Sequence, residues 1–383
     1  MVSLSVPNLA DASNTELLDD LLIRICHRLQ LSRTQYESAK QHYEAICGWL
    51  NAESSALLAF HPDLYPQGSM ALGTTVKPLR QEEYDVDLVC ELKLDPVGLT
   101  YPLKLLDIVE QRLKENQIYR PQVERMPRCI RVNYEHQFHL DILPACPDPS
   151  SHMGALLIPD CKNNNWRSTN PRGLIDWFKS AALKQIRFAK DAAAAVPLPA
   201  AQNVDQKNTL QLTVQLLKRM RDVHFSGDLG LGPASIILTV LAGMYYEGEQ
   251  SVSKNLKITL LKFRESIPTH GRLRVQHPRA DEDLSEKWND QEKYSAFIKM
   301  LDFLIDKMYR LDEANNMGDR SAVLKELFDE KIVKTVYEEQ AEDLEKMREA
   351  GNIGMTKKNG IASLASTIMS PIRKNTFYGD KEI

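Results

Sequence analysis

The hydrophobic periodicity of the chain changes near its middle, and this change limits the folds open to it. Up to about residue 195, segments that alternate with period two are mixed with segments of helical period. After the Pro-rich break at residues 196–199, the patterned segments from Gln206 onward have helical spacing. The sequence therefore predicts an α+β fold in which a mixed-sheet half precedes an α-helical half.

The length of the chain supports a division into two lobes. A single hydrophobic core stops growing at about 250–300 residues, and this chain has 383. Amphipathic helices are predicted at Asn14–Leu29 and Ser32–Leu50, ahead of the first strand. We predict N-terminal bracing helices, a catalytic α/β lobe, an α-helical lobe and a C-terminal tail, at residues 1–58, 59–199, 200–350 and 351–383.

Proline residues and polar segments predict where several strands, loops and helices begin or end. We expect the hairpin at 130–143 to be ended by Pro144 and Pro147, the polar segment 160–171 to be a loop, and a helix to run from Pro171 towards residue 195. Near the C-terminus, the pattern predicts separate helices at 321–337 and 338–350.

Two aspartates on the first long predicted strand are the most informative residues. Asp85 and Asp87 lie in the alternating segment 84–92, so their side chains leave the same face of a strand. Converging carboxylates repel each other and attract a hard divalent cation such as Mg²⁺. Asp141, on a second strand, would complete a three-carboxylate site for two metal ions and in-line phosphoryl transfer.

A small turn precedes these strands at Gln67-Gly68-Ser69. Glycine lets the backbone approach a ligand closely, and the Ser69 hydroxyl suits a triphosphate oxygen. Either feature alone has an ordinary interpretation, since a Gly-Ser pair is usually a turn and an Asp-x-Asp pair usually faces solvent. The order of the turn, the Asp pair and the third Asp indicates a nucleotide site.

This order resembles the nucleotidyltransferase superfamily with its polymerase-beta-like fold. Residues 67–74 followed by 84–89 look like the bacterial cyclic-oligonucleotide synthases, the CD-NTases, which are relatives of cyclic GMP–AMP synthase and of the Vibrio dinucleotide cyclase. The resemblance continues through residues 212–219 and 232–235. It implies a bilobal protein in which the helical lobe closes over the donor nucleotide.

The resemblance also implies roles for particular residues. Asp85 and Asp87 would hold two Mg²⁺ ions, with Mn²⁺ as a substitute, and Asp141 would bind the ion nearer the acceptor hydroxyl. By position, Lys218 and Ser235 would contact the donor triphosphate, together with the turn at 67–69. Without the family context, a lysine at 218 would be a solvated surface residue and Ser235 a residue near a helix cap.

The activity implied is the synthesis of a cyclic di- or trinucleotide second messenger. A 3′- or 2′-hydroxyl would attack the α-phosphate of ATP or another nucleoside triphosphate and release pyrophosphate. The product would act on a downstream effector in anti-phage defence, and the resemblance also allows for regulatory protein partners.

Two further features have weaker interpretations. His139 shares a strand face with Asp141, which makes it either a residue lining the site or a packed histidine. The polar segment Asn163–Trp166 could contact a nucleobase through its amides and indole, or be an ordinary surface loop.

Composition removes several classes of protein. The formal net charge of −4 makes stable binding to nucleic acid unexpected. We expect a cytoplasmic protein, because there is no apolar run of about 20 residues, no secretory signal and no clustered cysteine among the six.

Two alternatives to a cyclic-oligonucleotide synthase remain. They are a template-independent RNA nucleotidyltransferase of the poly(A) or CCA type and a catalytically silent nucleotide-binding module.

Overall fold

The computed structural model describes most of the chain. The described residues are 14–79, 83–99, 101–135, 137–162, 164–183, 202–349, 353–356, 360–363 and 370–371. The α-helices are α1 (Asn14–Leu29), α2 (Arg33–Leu50), α3 (Gly68–Leu72), α4 (Lys104–Glu115), α5 (Pro171–Ala182), α6 (Thr209–His224), α7 (Ser235–Tyr245), α8 (Val252–Glu265), α9 (Gln291–Glu313), α10 (Met317–Phe328) and α11 (Glu330–Glu349). The strands are β1 (Asp63–Pro66), β2 (Tyr84–Glu91), β3 (Val123–Arg125), β4 (Ile130–Tyr134), β5 (Phe138–Pro147), β6 (Leu156–Asp160), β7 (Asn165–Thr169), β8 (Ile353–Thr356), β9 (Gly360–Ser363) and β10 (Ser370–Pro371). The predicted α+β fold with a mixed sheet and a helical region is confirmed.

The central sheet has seven strands of mixed direction. Strands β1-β2-β5-β4-β3 form the main path, and β6 and β7 extend it from β5. Strands β2 and β5 are parallel, whereas the other pairs are antiparallel. The parallel pair lies at the middle of the sheet, so the residues at the beginning of β2 and β5 meet at one end.

The apolar side chains pack into separate cores. One core joins the sheet to α2 and α4, and a second joins α6 to α11 with α1 and α5. The two N-terminal helices therefore pack on different cores. Each of α2 and α6 begins with a reciprocal capping box, at Ser32 and Gln35 and at Asn208 and Gln211. The four-part division of the chain by residue number remains a prediction.

The hairpin is longer than predicted, and the polar segment after it differs from expectation. Strand β5 continues past Leu143 and Pro144 and ends at Pro147, the second of the two prolines predicted to end the hairpin. Its ladder with β4 ends at Ile142 and its ladder with β6 begins at Cys146, so Pro144 lies between two antiparallel partners, where a missing N–H is tolerated. The predicted loop at 160–171 is wrong, because residues 165–169 form β7 against β6.

The helical boundaries also differ in one place. The break near the C-terminus falls at Asp329, not between 337 and 338. Asp329 has a φ of 77°, which ends α10, and its carboxylate accepts a hydrogen bond from the Lys331 amide at 2.9 Å, which starts α11. The predicted helix from Pro171 is described only to Ala182, and its continuation lies outside the described residues. Part of the predicted tail forms a small three-stranded sheet, β10-β8-β9.

Two smaller expectations can be compared with the structure. All six cysteine thiols are unpaired. In the described portion of the chain, no helix combines the length and the apolar character needed to cross a membrane.

Candidate active site

The register of the parallel strands brings the three predicted carboxylates together. Asp87 on β2 and Asp141 on β5 are Cα partners, and Asp85 is the partner of His139. Because side chains alternate along a strand, Asp85, Asp87 and Asp141 lie on one face of the sheet. The sequence predicted this shared face, and the parallel pairing provides the contact between strands.

An arginine that the sequence analysis did not single out lies among the carboxylates. Arg131 on β4 donates to both oxygens of Asp141, with Nε to Oδ1 at 2.7 Å and Nη2 to Oδ2 at 2.8 Å. Its Nη2 also donates to Asp85 Oδ1 at 3.2 Å. One guanidinium therefore neutralises part of the charge of two candidate metal ligands.

The carboxylates remain electrostatically strained in this arrangement. Burial, followed by the charges of Asp85 and Asp141, raises the pKa of Asp87 to about 7. Partial desolvation and then the charge of Asp141 raise the pKa of Asp85, although its side chain is 58% exposed. Each carboxylate would be stabilised in its ionised form by an added cation.

The chemistry of this donor set fits a hard divalent cation. Carboxylate oxygens are the protein ligands that Mg²⁺ prefers, and Arg131 now supplies the positive charge between Asp85 and Asp141. No group of three or more His, Cys, Asp or Glu side chains is already arranged to hold a metal ion in the part of the chain that is described. Rearrangement of the Arg131 ion pairs would therefore accompany metal binding.

The turn at 67–69 is held directly against β2. The Gln67 amide donates to the Asp87 carbonyl at 2.9 Å, and Gly68 begins the short helix α3 with a φ of 62°. A Cβ at position 68 would lie 2.1 Å from Asp87 Oδ2. Only glycine fits both the left-handed conformation and this approach to the carboxylate.

A cleft of about 750 Å³ collects the predicted nucleotide-binding residues. Its walls come from the turn, β2, α6 and α7. The predicted residues that line it are Gln67, Gly68, Ser69, Asp85, Asp87, Lys218 and Ser235. Asp141 is not part of this lining and lies next to it, across from Asp87 on β5.

Lys218 is a buried residue, so its interpretation as a solvated surface lysine is wrong. Only 4% of the residue is exposed. Its Nζ donates to the Thr74 carbonyl at 3.0 Å and to Thr74 Oγ1 at 3.2 Å. Burial, with the nearby Arg221 charge, lowers the pKa of Lys218 to about 7. A phosphate group in the cleft would compensate this buried ammonium group better than a carbonyl does.

Ser235 is the first residue of α7 and not its N-cap, which is Ala234. Its hydroxyl accepts a hydrogen bond from Arg221 Nη1 at 2.6 Å. Arg221 also pairs with Asp222 at 2.5 Å, and both side chains line the cleft. The sequence analysis named neither as a site residue, although Arg221 lies three positions, or about one helical turn, after Lys218.

The two weaker predictions have different outcomes. His139 lies beside the carboxylates, with Nδ1 3.5 Å from Asp85 Oδ1, and it also contacts Glu83. The segment 163–166 is not the predicted loop, because Trp166 lies on β7 and packs against the sheet core. Its described residues do not line the cleft, and its nucleobase role stays a prediction. Asn163 lies outside the described residues. Trp288, which is 3% exposed and stacks on Phe297, lines the cleft instead.

A buried histidine in the cleft wall gives a prediction about acid stability. His277 is 6% exposed, and burial lowers its pKa to about 4. The unfolded chain binds a proton near pH 6.5, so the stability contributed by neutral His277 is present above pH 6.5 and is lost as the pH falls towards 4. We expect this residue to reduce the free energy of unfolding by about 2–3 kcal/mol at pH 4.5 relative to pH 7.

Urea unfolding at the two pH values measures this effect. His277→Asn keeps an acceptor for the Arg279 amide, which now donates to His277 Nδ1 at 3.1 Å, and should weaken the pH dependence. The same substitution at the exposed His152 is the control. Equal pH dependence of His277→Asn and the wild-type protein would contradict the prediction.

Comparison with known proteins identifies the family. The model of the Second Messenger Oligonucleotide or Dinucleotide Synthetase domain matches residues 18–181. A c-di-GMP synthase of Roseivirga ehrenbergii is 30% identical over 369 residues, which is 95% of this chain and 97% of the relative. The match therefore includes both the sheet and the helical region.

Solved structures share the fold. The CD-NTase CdnG of Bradyrhizobium diazoefficiens, in complex with GTP, has a TM-score of 0.68 at 23% identity and covers 85% of this chain and 98% of its own. CdnC of E. coli MS115-1 with ATP has a TM-score of 0.62 at 14% identity, covering 81% and 97%. The chain belongs to the CD-NTase family of cyclic-dinucleotide synthases and is a nucleotidyltransferase that makes a cyclic-dinucleotide second messenger.

Proposed function

We propose that this synthase uses GTP as its principal substrate and makes cyclic di-GMP in a reaction that requires Mg²⁺, for which Mn²⁺ can substitute. The name of the Roseivirga relative supports this product, and the GTP complex of the Bradyrhizobium protein supports the substrate. ATP is the second candidate substrate, because the E. coli neighbour was solved with ATP. The product would act by binding a separate effector.

The observation that supports this proposal is the convergence of anionic and cationic groups on one cleft. Asp85 and Asp87 line the cleft on the sheet side, and Lys218 and Ser235 line it on the helical side. Hydroxyl and ammonium groups donate hydrogen bonds to the oxygens of a triphosphate. The reacting α-phosphate also needs positive charge nearby, which metal ions held by the carboxylates would supply. A nucleoside triphosphate spanning the cleft would meet both sets of groups.

In this proposal the residues of the chain divide the work. Asp85 and Asp87 would hold two metal ions and Asp141 would share one of them, after Arg131 releases Asp141. When bound, the ions would supply positive charge that stabilises the attacking and leaving oxygens. Ser69, Lys218 and Ser235 would hold the β- and γ-phosphates, so that the leaving pyrophosphate points away from the acceptor.

The chemical step is a displacement at phosphorus. The bond from the acceptor 3′-oxygen, or 2′-oxygen, to the α-phosphorus forms as the bond from the α-phosphorus to the bridging oxygen breaks. Asp141 would orient the acceptor hydroxyl and accept its proton, and the electron pair of the broken phosphorus–oxygen bond would leave with pyrophosphate. A second displacement within the linear intermediate, at its own α-phosphorus, would close the ring and release a second pyrophosphate.

Product analysis tests this proposal. The purified protein is incubated with each labelled nucleoside triphosphate and with mixtures, in the presence of Mg²⁺, and the products are treated with phosphatase. A phosphatase-resistant cyclic di-GMP formed from GTP alone is the expected result, and Asp87→Asn is the inactive control. Long polymers would indicate a tailing enzyme, while the absence of turnover would indicate a nucleotide-binding module.

Lys218→Ala is expected to lower kcat/KM for the nucleoside triphosphate roughly ten- to a hundredfold. A charge-assisted hydrogen bond to phosphate is worth about 1.5–3 kcal/mol. Because Lys218 is buried, Lys218→Met serves as a second variant that preserves more of the side-chain volume. Steady-state kinetics over a range of GTP and ATP concentrations measures the effect, with the exposed Lys334→Ala as control. Unchanged kcat/KM in a folded variant would remove Lys218 from the nucleotide site.

A further inference from the structure

One face of α6 hydrogen-bonds to the backbone that follows the nucleotide turn. This backbone is the segment 72–77, which leaves α3 and leads away from Ser69. The four α6 side chains and the carbonyls that accept from them are Gln211 with Leu72 at 2.9 Å, Gln215 with Thr75 at 2.6 Å, Lys218 with Thr74 at 3.0 Å, and Arg219 with Lys77. The donors are spaced by four, three and one residues, which places them on one side of the helix.

These donors are buried, so their hydrogen bonds constrain the segment. Gln215 has 0% exposure and Arg219 has 2%. A buried amide or carbonyl that loses its partner costs about 1–3 kcal/mol. The Gln215 side chain is also held from the other side, because Gln30, the residue that follows α1, donates from Nε2 to Gln215 Oε1 at 3.2 Å. The hydrogen bond from Gln215 to the Thr75 carbonyl therefore fixes the position of Thr75 relative to α6.

This segment also contacts Ser69, the residue that is predicted to bind the triphosphate. Thr75 Oγ1 donates to Ser69 Oγ at 3.0 Å, and the Thr74 amide donates to the Ser69 carbonyl at 2.9 Å. A hydroxyl has one proton to donate. Since Ser69 accepts from Thr75, its own proton is left available for an acceptor in the cleft.

The close contact at Gly73 indicates that α6 and the segment 72–77 fit each other specifically and do not merely pack together. Gly73 ends α3 with a φ of 66°, and a Cβ there would lie 2.5 Å from Gln211 Nε2. The amide of Gln211 reaches the Leu72 carbonyl only because position 73 has no side chain.

We propose that Gln215 and Thr75 are positioning residues for the donor nucleotide, acting through Ser69. Gln215 holds the Thr75 carbonyl, and Thr75 Oγ1 holds and orients the Ser69 hydroxyl so that it donates to a phosphate oxygen. The inference rests on the proposed function for the role of Ser69. It links the helical region to the turn through a route that does not include the carboxylates.

The test is a double-mutant cycle on nucleotide binding and turnover. Thr75→Val removes the hydroxyl at nearly constant volume, and Thr75→Ser retains it. Both are made with Ser69 and with Ser69→Ala, and Thr335→Val, at a half-buried position of α11, is the matched control. Isothermal titration with GTP and Mg²⁺ gives Kd, while initial rates give KM and kcat.

We expect Thr75→Val to raise Kd and KM about three- to tenfold with a smaller change in kcat, as loss of one hydrogen bond would do. Thr75→Ser should recover much of this loss. When Ser69 is already alanine, Thr75→Val should change Kd less than twofold, because its route to the nucleotide is gone.

A second measurement reports on Gln215 without nucleotide. Gln215→Met should increase hydrogen exchange at the Thr74 amide, which now donates to Ser69, relative to amides of α9 in the same protein. Unchanged exchange at Thr74 in a folded variant would overturn the part of the proposal that concerns Gln215.

The remaining outcomes separate this inference from the proposed function. Equal effects of Thr75→Val in the two backgrounds, or equal effects of Val and Ser at position 75, would overturn the positioning role. GTP binding without any cyclic product would contradict the proposed function alone, since the cycle on Kd still holds. A wild-type protein that binds no nucleoside triphosphate would overturn both.

Discussion

Asp141→Asn is expected to lower the rate of product formation by at least about several hundredfold while leaving the fold intact. The substitution preserves size but removes one charge from the three-carboxylate face. Asp141 is the register partner of Asp87 and accepts both hydrogen bonds from Arg131, so its charge is central to the site. In the variant, Arg131 would lose part of its counter-charge. The asparagine amide would not replace the lost carboxylate as a ligand for a divalent cation.

Initial rates with GTP and Mg²⁺ measure this prediction, and circular dichroism verifies folding. Asp176→Asn, at an exposed position of α5, is the control for removal of a carboxylate elsewhere. Turnover of Asp141→Asn near the wild-type rate would exclude Asp141 from the active site and contradict the two-metal arrangement.

Gly68→Ala is expected to lower kcat/KM by roughly a hundredfold or more, since displacement of a catalytic group by about 1 Å has effects of that size. The added Cβ would lie 2.1 Å from Asp87 Oδ2 and 2.9 Å from Asp87 Cγ. Either the Asp87 carboxylate or the turn must move. Both belong to the active site, which depends on their close contact. The left-handed backbone adds a conformational cost of about 1–2 kcal/mol.

Gly154→Ala is the matched control for this variant. Gly154 has a φ of 70°, but a Cβ there would have nothing within 4 Å. Both variants therefore carry the backbone cost, and only Gly68→Ala carries the clash. Thermal unfolding should report a loss of stability in both variants, while kinetics should show a large loss of activity in Gly68→Ala alone. A comparable loss of activity in Gly154→Ala would show that strain, and not the displacement of Asp87, is responsible.

Some contacts that the sequence analysis missed were within its reach. A hairpin that turns near residue 135 pairs positions whose numbers have a constant sum, so Arg131 opposite Asp141 follows from the same pairing that joins Tyr134 to Phe138. Gln215 lies three residues before Lys218, on the helix face already under consideration. In both cases the spacing along the chain already places the polar partner beside a predicted site residue.

The amino-acid sequence by itself determined the local elements and the chemistry of the site. Alternation in residues 84–92 predicts a strand with two carboxylates on one face, and helical spacing predicts α1, α2 and α6 within a few residues. These are properties of neighbouring residues, since side-chain direction in a helix or strand follows from backbone geometry alone. The motif residues were recognisable for the same reason.

Only the tertiary structure decided which polar groups meet. Lys218 and Thr74 are separated by 144 residues and become partners because α6 packs behind the nucleotide turn. Burial of that lysine and the contact from Thr75 to Ser69 depend on how the helical region packs against the sheet. The guanidinium of Arg131 reaches Asp85 as well as Asp141 because β2 pairs in parallel with β5. A helix pattern shows which side chains share a face, but the free energy of a buried polar group depends on the partner it finds, and that partner is set by packing between distant segments.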